Sequence, residues 1–363
     1  MSNEVNNVSN DTSKKKNKKP LIIFLVILAV VVAIAVSAVT VLSDIGSKKM
    51  RDYDDMKIEA TPDEANVDGV SNDGKTITYK GKTYNFNEDV TTLVLLGIDE
   101  EDSEHPERHV GDGGYADFIY ILVNDTANEK VSILNVSRNA MVDVDTYDKN
   151  GEFVKTENTQ ICLSYAYGDG KEKSCENTIK SLERLFRGMK FDTYYSISQK
   201  AVEELNDSVG GVTLTPTVKF YSVNENRYVS ENEEFTLKGH DAIMYIRSRE
   251  WDQSELNPDA NRVNRQVHYM NEFLEQVWPS VTKDPSIIND MYNIVKDESV
   301  TNADATKMTY LVTDTLDNLD SYKDIEFLSI DGEYKASDDY DEFTVDEDKL
   351  TETMIKLFYV EAK

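Results

Sequence analysis

The chain has 363 residues, 39% of them apolar and 29% charged, which is enough to fill at least one large core and, by length, about two domains. Its 68 acidic against 39 basic residues leave a formal net charge of −29. Such a field repels polyphosphates and nucleic acids except where cations are gathered locally. Composition therefore argues against a disordered tail, a mini-protein, or nucleic-acid binding by the main body.

From the amino terminus, residues 1–20 are a basic tail with Lys14, Lys15, Lys16, Lys18 and Lys19. Leu21 to Leu42 then runs 22 residues without a charge, which at ~1.5 Å per residue spans a hydrocarbon core of ~30 Å. A transmembrane helix is expected over 21–43. Lys48, Lys49 and Arg51 on its far side are diluted by Asp44 and Asp52. The positive-inside rule therefore puts the tail in the cytoplasm and the rest of the chain outside the cell. The apolar run exceeds the ~7–15 residues of a cleavable signal peptide, so a single-pass anchor in the cell membrane is expected.

Residues 44–89 read as a stalk and a hairpin, with TITYKGKTYNF at 76–86 alternating around Lys80-Gly81. Strands are expected at Thr92 to Ile98, Phe118 to Val123 and Val131 to Val136, the last two joined by a polar turn around Asp125 to Glu129. A helix fits 174–187, with Ser174 as a possible N-cap and Gly188 at its end, and a shorter one fits Gln199 to Asp207 before Gly210-Gly211. Val263, Val267, Met270, Leu274 and Val277 mark another helix. The chain reads as helical again near 285–320, and an amphipathic stretch at Lys349 to Tyr359 closes it. Strands alternating with helices point to an α/β or α+β sandwich, with 281–363 as a helical and acidic extension.

Cys162 and Cys175, on the exported side, could close a disulfide or be two buried thiols. Of ten arginines, Arg247, Arg249, Arg262 and Arg265 fall within 247–265. An extended Ile246 to Glu250 puts Arg247 and Arg249 on one face, and a following helix groups Arg262, Arg265 and Gln266. Guanidinium groups bind phosphate oxygens bidentately and keep their charge, so the cluster suits a diphosphate. Surface salt bridging to Glu250, Asp252, Glu255 and Asp259 accounts for it equally well. Asp99 ends an apolar strand where open α/β sheets place ligands. A hairpin folded about 127–128 sets Asp117 across from Arg138. If the Asp99 strand runs parallel beside Arg138, all three meet at one edge, and two carboxylates can hold Mg²⁺. Gly111 to Gly114 lacks a Walker lysine, and His105 and His109 form no zincin pattern.

LLGID at 95–99, ADFIYILVND at 116–125, SILNVSRN at 132–139, SYAYGDG at 164–170, NDSVGGV at 206–212, LKGHDAIMYIRSR at 237–249 and DANRVNRQ at 259–266 together resemble the LytR-CpsA-Psr (LCP) family. The likeness covers roughly residues 90–280. It implies an LCP-like catalytic domain there, built as an α/β/α sandwich around a central mixed sheet. It also implies an apolar pocket for a polyprenyl tail, and transfer of glycopolymers such as teichoic acid from polyprenyl-pyrophosphate carriers to peptidoglycan with Mg²⁺. Carried over by motif, Asp99 and Asp117 are the metal-side acids. Arg138, Arg247, Arg249, Arg262, Arg265 and Gln266 are the pyrophosphate-binding residues, with Arg138, Arg247 and Arg249 closest to catalysis.

Two positions depart from that pattern. Tyr115 stands where the family commonly has arginine, and Asn139 where it commonly has aspartate. Asparagine hydrogen-bonds but cannot act as a base, so reduced turnover is implied. Two classes stay open: a glycopolymer phosphotransferase, and a non-catalytic lipid-glycan binding or regulatory protein on the same fold. A pyrophosphatase is a narrower third.

Overall fold

The computed structural model describes residues 71–72, 75–99, 114–247 and, with interruptions, 265–362. The expected membrane helix at 21–43, the basic tail before it and the stalk up to residue 70 lie outside the described residues, as do His105 and His109. The strands begin with β1 (Ser71–Asn72), β2 (Thr76–Tyr79), β3 (Lys82–Phe86), β4 (Val90–Asp99), β5 (Tyr115–Asp125), β6 (Lys130–Asn135), β7 (Met141–Tyr147) and β8 (Phe153–Gln160). A 3₁₀ helix (Ile161–Tyr167), α1 (Glu172–Leu185), β9 (Thr193–Ser198) and α2 (Gln199–Ser208) follow. Next come β10 (Val212–Leu214), β11 (Phe220–Ser222), β12 (Arg227–Val229), β13 (Phe235–Leu237) and α3 (His240–Arg247). Beyond helical residues described between 265 and 277 lie β14 (Ser299–Thr301), β15 (Glu326–Ser329), β16 (Gly332–Lys335), β17 (Glu342–Val345), α4 (Glu347–Phe358) and β18 (Tyr359–Glu361).

A six-stranded mixed sheet in the order β14-β9-β4-β5-β6-β15 forms the centre. β4 runs parallel to β9 and antiparallel to β5, β5 antiparallel to β6, and β6 parallel to β15. The near-continuous apolar run of β4 reflects burial on both faces. Leu93 and Leu95 enter one core with Ala201 and Leu205 of α2, Ala242 and Tyr245 of α3, and Tyr269 and Phe273. Val94, Leu96 and Ile98 enter the other, with Leu182 of α1 and Leu350, Met354 and Phe358 of α4. Helices thus cover both faces, as the α/β/α reading requires. At the start of β4, the Asp192 carboxylate accepts from the Thr92 backbone N–H at 2.6 Å and its hydroxyl at 2.7 Å. This ties β4 to the segment entering β9 and fixes where their carboxyl ends emerge.

The hairpin at 76–86 forms as its pattern predicts, with Lys80 and Gly81 both at positive φ, the backbone a two-residue turn demands. Other expectations need correction. Asp99's strand does not neighbour the one leading to Arg138; β5 lies between them, although β4 and β6 do run parallel. Ile246 and Arg247 are not extended but end α3. Ser174 is not the N-cap of α1, which starts at Glu172; its approach is held instead by Asp169, whose carboxylate accepts from the Lys171 and Lys173 N–H groups. Residues beyond 280, which composition sets apart as an extension, supply both edge strands of the central sheet, β14 and β15. Strand β14 also interrupts the region read as helical near 285–320.

Candidate functional site

Register places the two acids. β5 pairs with β6 so that Tyr120 faces Asn135, and continuing that register sets 117 opposite 138. Arg138 Nη1 and Asp117 Oδ1 lie 2.5 Å apart. On the other side of β5, Gly97 faces Phe118 whereas Ile98 faces Ala116, so Asp117 is the extra residue of a β-bulge. A bulge bends its strand and re-aims the side chain it carries. Gly97 makes the close approach possible, since a Cβ there would stand 2.7 Å from Phe118 Cβ. A glycine inside an apolar strand run is the sequence signal for this, and it lay in LLGID.

Asp99 is the last residue of β4 and Arg247 the last of α3. Arg247 Nη2 pairs with Asp99 Oδ2, and Arg247 Nη1 donates to Gln199 Oε1 at 3.0 Å. Gln199 Nε2 donates to Asp99 Oδ1, closing a three-residue ring. Gln199 opens α2 directly after its N-cap, Ser198, which accepts from Ala201 N–H. Its residue type gave the sequence reading no reason to single it out.

Behind this ring lies a pocket enclosing about 900 Å³, counting its open mouth, within the range of small-molecule sites. Its walls are Leu95 and Ile197 of the sheet, Val202 and Leu205 of α2, Ile243 and Ile246 of α3, and Tyr269 and Phe273; Asp99, Asp117, Gln199, Arg247 and Gln266 also line it. Burial pushes the Tyr269 phenol well above its usual range, so it stays neutral and donates to Asn206 Oδ1 at 3.0 Å. The formal charges of Asp99, Asp117, Arg138 and Arg247 cancel. Among the described residues the site thus joins apolar walls to two aspartate–arginine ion pairs.

Other expected residues sit differently. Arg265 is only 1% exposed and donates from Nε to the Tyr245 carbonyl at 3.2 Å, near the carboxyl end of α3. There a cation also favours the helix dipole. It is not among the pocket's lining residues, whereas its neighbour Gln266 is. Arg249 and Arg262 lie outside the described residues. Tyr115 faces Asp99 across the strand pair and is 40% exposed. Asn139 does not line the pocket: its Oδ1 accepts from Gln160 Nε2 at 2.9 Å and its Nδ2 donates to the Tyr334 hydroxyl. Its amide uses both donor and acceptor in that buried network, which a carboxylate could not do.

Cys162 and Cys175 are buried thiols not joined by a disulfide. Cys162 Sγ accepts from Arg138 Nη2 at 3.4 Å, and burial pushes the Cys175 thiol up to about 12. As to a metal, Asp99 and Asp117 offer the hard oxygens Mg²⁺ takes, and that ion uses one or two protein carboxylates together with waters and phosphate oxygens. Among the described residues no group of three acids, histidines or cysteines could form a metal site. The donor set thus fits a cation shared with a phosphate ligand, not a protein-only cage.

Comparisons with known proteins agree with this architecture. Over 208 residues, 55% of this chain, the sequence is 25% identical to Biofilm regulatory protein A of Streptococcus mutans, covering 47% of that protein. The chain thus spans about half the length of that relative. Among solved structures, TagV of B. subtilis matches with a TM-score of 0.54 at 18% identity, covering 74% of this chain and 96% of that one. Protein gbs0355 of Streptococcus agalactiae matches with a TM-score of 0.56 at 18% identity, covering 74% and 86%. At such identities these likenesses bear on the fold alone. The family model described as the LytR_cpsA_psr family matches residues 55–358, and this chain belongs to that family.

Proposed function

We propose that the protein is a membrane-anchored phosphotransferase facing the cell exterior, which moves a glycopolymer from a polyprenyl-pyrophosphate carrier onto peptidoglycan. One observation carries this reading: a largely apolar pocket is also lined by Arg247 and two aspartates, a match for a ligand with a hydrocarbon tail and a diphosphate head. Outside the membrane there is no nucleotide to drive bond formation, so the donor must arrive activated, as a lipid diphosphate does.

The pocket walls would take the tail nearest the phosphates. Arg247 and Arg138 would grip phosphate oxygens, joined by Arg249 and Arg262 as the family resemblance implies, and hold the diphosphate for in-line attack. The acceptor sugar's hydroxyl oxygen bonds to the glycan-side phosphorus while the bond from that phosphorus to the bridging oxygen breaks. Polyprenyl phosphate leaves, and the proton lost by the hydroxyl balances the charge on the departing phosphate. Magnesium bound through Asp99 and Asp117 would supply charge neutralisation at the diphosphate. Catalysis would then rest on positioning and fixed charge.

The test is to incubate the full chain with a short lipid-diphosphate glycan, Mg²⁺ and a peptidoglycan oligomer, and to follow release of polyprenyl phosphate. Arg247→Ala should lower release by about 10²-fold or more; release that ignores the substitution counts against the reading. A second reading is favoured by one observation: both acids lining the pocket are already engaged by arginines. Binding of the lipid glycan with no release at all would select that reading, a binding protein without turnover.

A further inference from the structure

The residues proposed to meet the diphosphate also hold one another. Arg247 spends one nitrogen on Asp99 and another on Gln199, and Gln199 in turn donates to Asp99. The Asp99 side chain is 15% exposed and that of Arg247 34%, so the carboxylate is the more sheltered half of the pair. Within a chain of net charge −29, an arginine already paired with a carboxylate attracts an anion less than an unpaired one would. We propose that Gln199 is a positioning residue that clasps Asp99 to Arg247, so that a diphosphate is gripped by Arg247 only when a divalent cation draws the Asp99 carboxylate away. This rests on the lipid-diphosphate reading of the site and adds to it a condition of entry: the site selects the metal-bound diphosphate over the bare anion.

The argument is one of linkage. Asp99 and a phosphate oxygen compete for the same guanidinium, so each weakens the other's hold in the absence of a cation. A cation that binds carboxylate and phosphate together turns that competition into cooperation, and couplings of this kind typically amount to about 5–150-fold in affinity. Gln199 sharpens the competition because its amide bonds to both partners, fixing the carboxylate and the guanidinium in the paired geometry. A purely structural glutamine would support binding equally with and without metal.

The test measures binding, not turnover. Full-length protein in detergent is titrated by calorimetry with farnesyl diphosphate, in EDTA and in MgCl₂, for the wild type, Asp99→Asn and Gln199→Leu, with thermal melts to confirm folding. Wild type should bind about tenfold or more tightly with Mg²⁺. Asp99→Asn, which frees Arg247 of its counter-charge, should bind about tenfold more tightly than wild type in EDTA and lose the Mg²⁺ enhancement. Gln199→Leu, which keeps the bulk but neither hydrogen bond, should move in the same direction by a smaller factor. Weaker binding of Asp99→Asn in EDTA, or a wild type indifferent to Mg²⁺, overturns the inference while leaving the lipid-diphosphate reading in place. A folded wild type that binds farnesyl diphosphate in neither buffer overturns both.

Discussion

A single methyl group at position 97 would test how Asp117 is aimed. The Cβ of an alanine there would meet Phe118 Cβ at 2.7 Å inside a sheet buried on both faces, so β4 and β5 must part or the bulge must shift. Overpacking of this kind costs about 1–3 kcal/mol. Gly97→Ala should therefore lower stability by that order in urea unfolding, and should also weaken the proposed lipid-diphosphate binding because Asp117 and its partner Arg138 move with the bulge. A variant that loses stability but binds like the wild type would show that the bulge serves packing alone. The placement of Arg138 across from Asp117 was legible because hairpin arithmetic needs only the turn centre. What the sequence did not show of Arg265 is its burial against the Tyr245 carbonyl, because residue type suggests a phosphate ligand equally well for an exposed side chain and a buried one.

At the scale of elements, α1 is fastened to the β7–β8 hairpin through one carboxylate. Asp145 of β7, only 2% exposed, receives Lys180 Nζ at 2.6 Å and Arg184 Nη2 at 2.8 Å from α1, and Thr156 Oγ1 at 2.7 Å from β8. Burial alone would raise its pKa, but the hydrogen bonds from Lys180, Thr156 and Arg184 prevail and hold it below its ordinary value of 3.8. A folded-state value below the unfolded one gives stability that is full above the unfolded pKa and disappears as pH falls through the folded one. Asp145→Asn should thus cost about 1–2 kcal/mol near neutrality, and the gap from wild type should close as thermal melts are repeated below pH ~4. A gap that persists unchanged in acid would mean the loss comes from packing and not from charge. Such long elements were readable from periodicity, including β4 to β6, α1 and α2. β9 was not, because TYYSIS carries hydroxyl-bearing residues on a strand buried between neighbours and so lacks an apolar run. The end of α3 was misread because IRSR alternates like a strand, while the helix turn that really places Arg247 is set by packing of Ala242, Ile243 and Tyr245.

For the whole molecule, the acidic carboxyl end is where composition and architecture diverge most. Its strands have only three or four residues each, too short for a pattern to declare itself, and their acidic character suggests a solvated tail. Yet β15 covers the edge of β6 with parallel pairing, and β18 pairs with β3 beside the amino-terminal hairpin. Between them α4 buries Leu350, Met354 and Phe358 completely beneath the central sheet. Arg187, at the far end of α1, is held by the Glu347 carboxylate at 3.0 Å, and the Asn139 network closes on Tyr334. A chain ending at Ile325 would forfeit all of these at once. Full burial of each such apolar side chain contributes about 1.5–3 kcal/mol, so three of them together approach the about 5–15 kcal/mol by which a whole domain is stable. The same cut exposes the β6 edge, an invitation to intermolecular pairing. The truncated chain should show no cooperative unfolding transition and should aggregate on expression, read by thermal melts and size-exclusion chromatography. A monomer melting cooperatively near the full-length Tm would instead mark the carboxyl end as an appendage, with the site held by residues 90–280 alone.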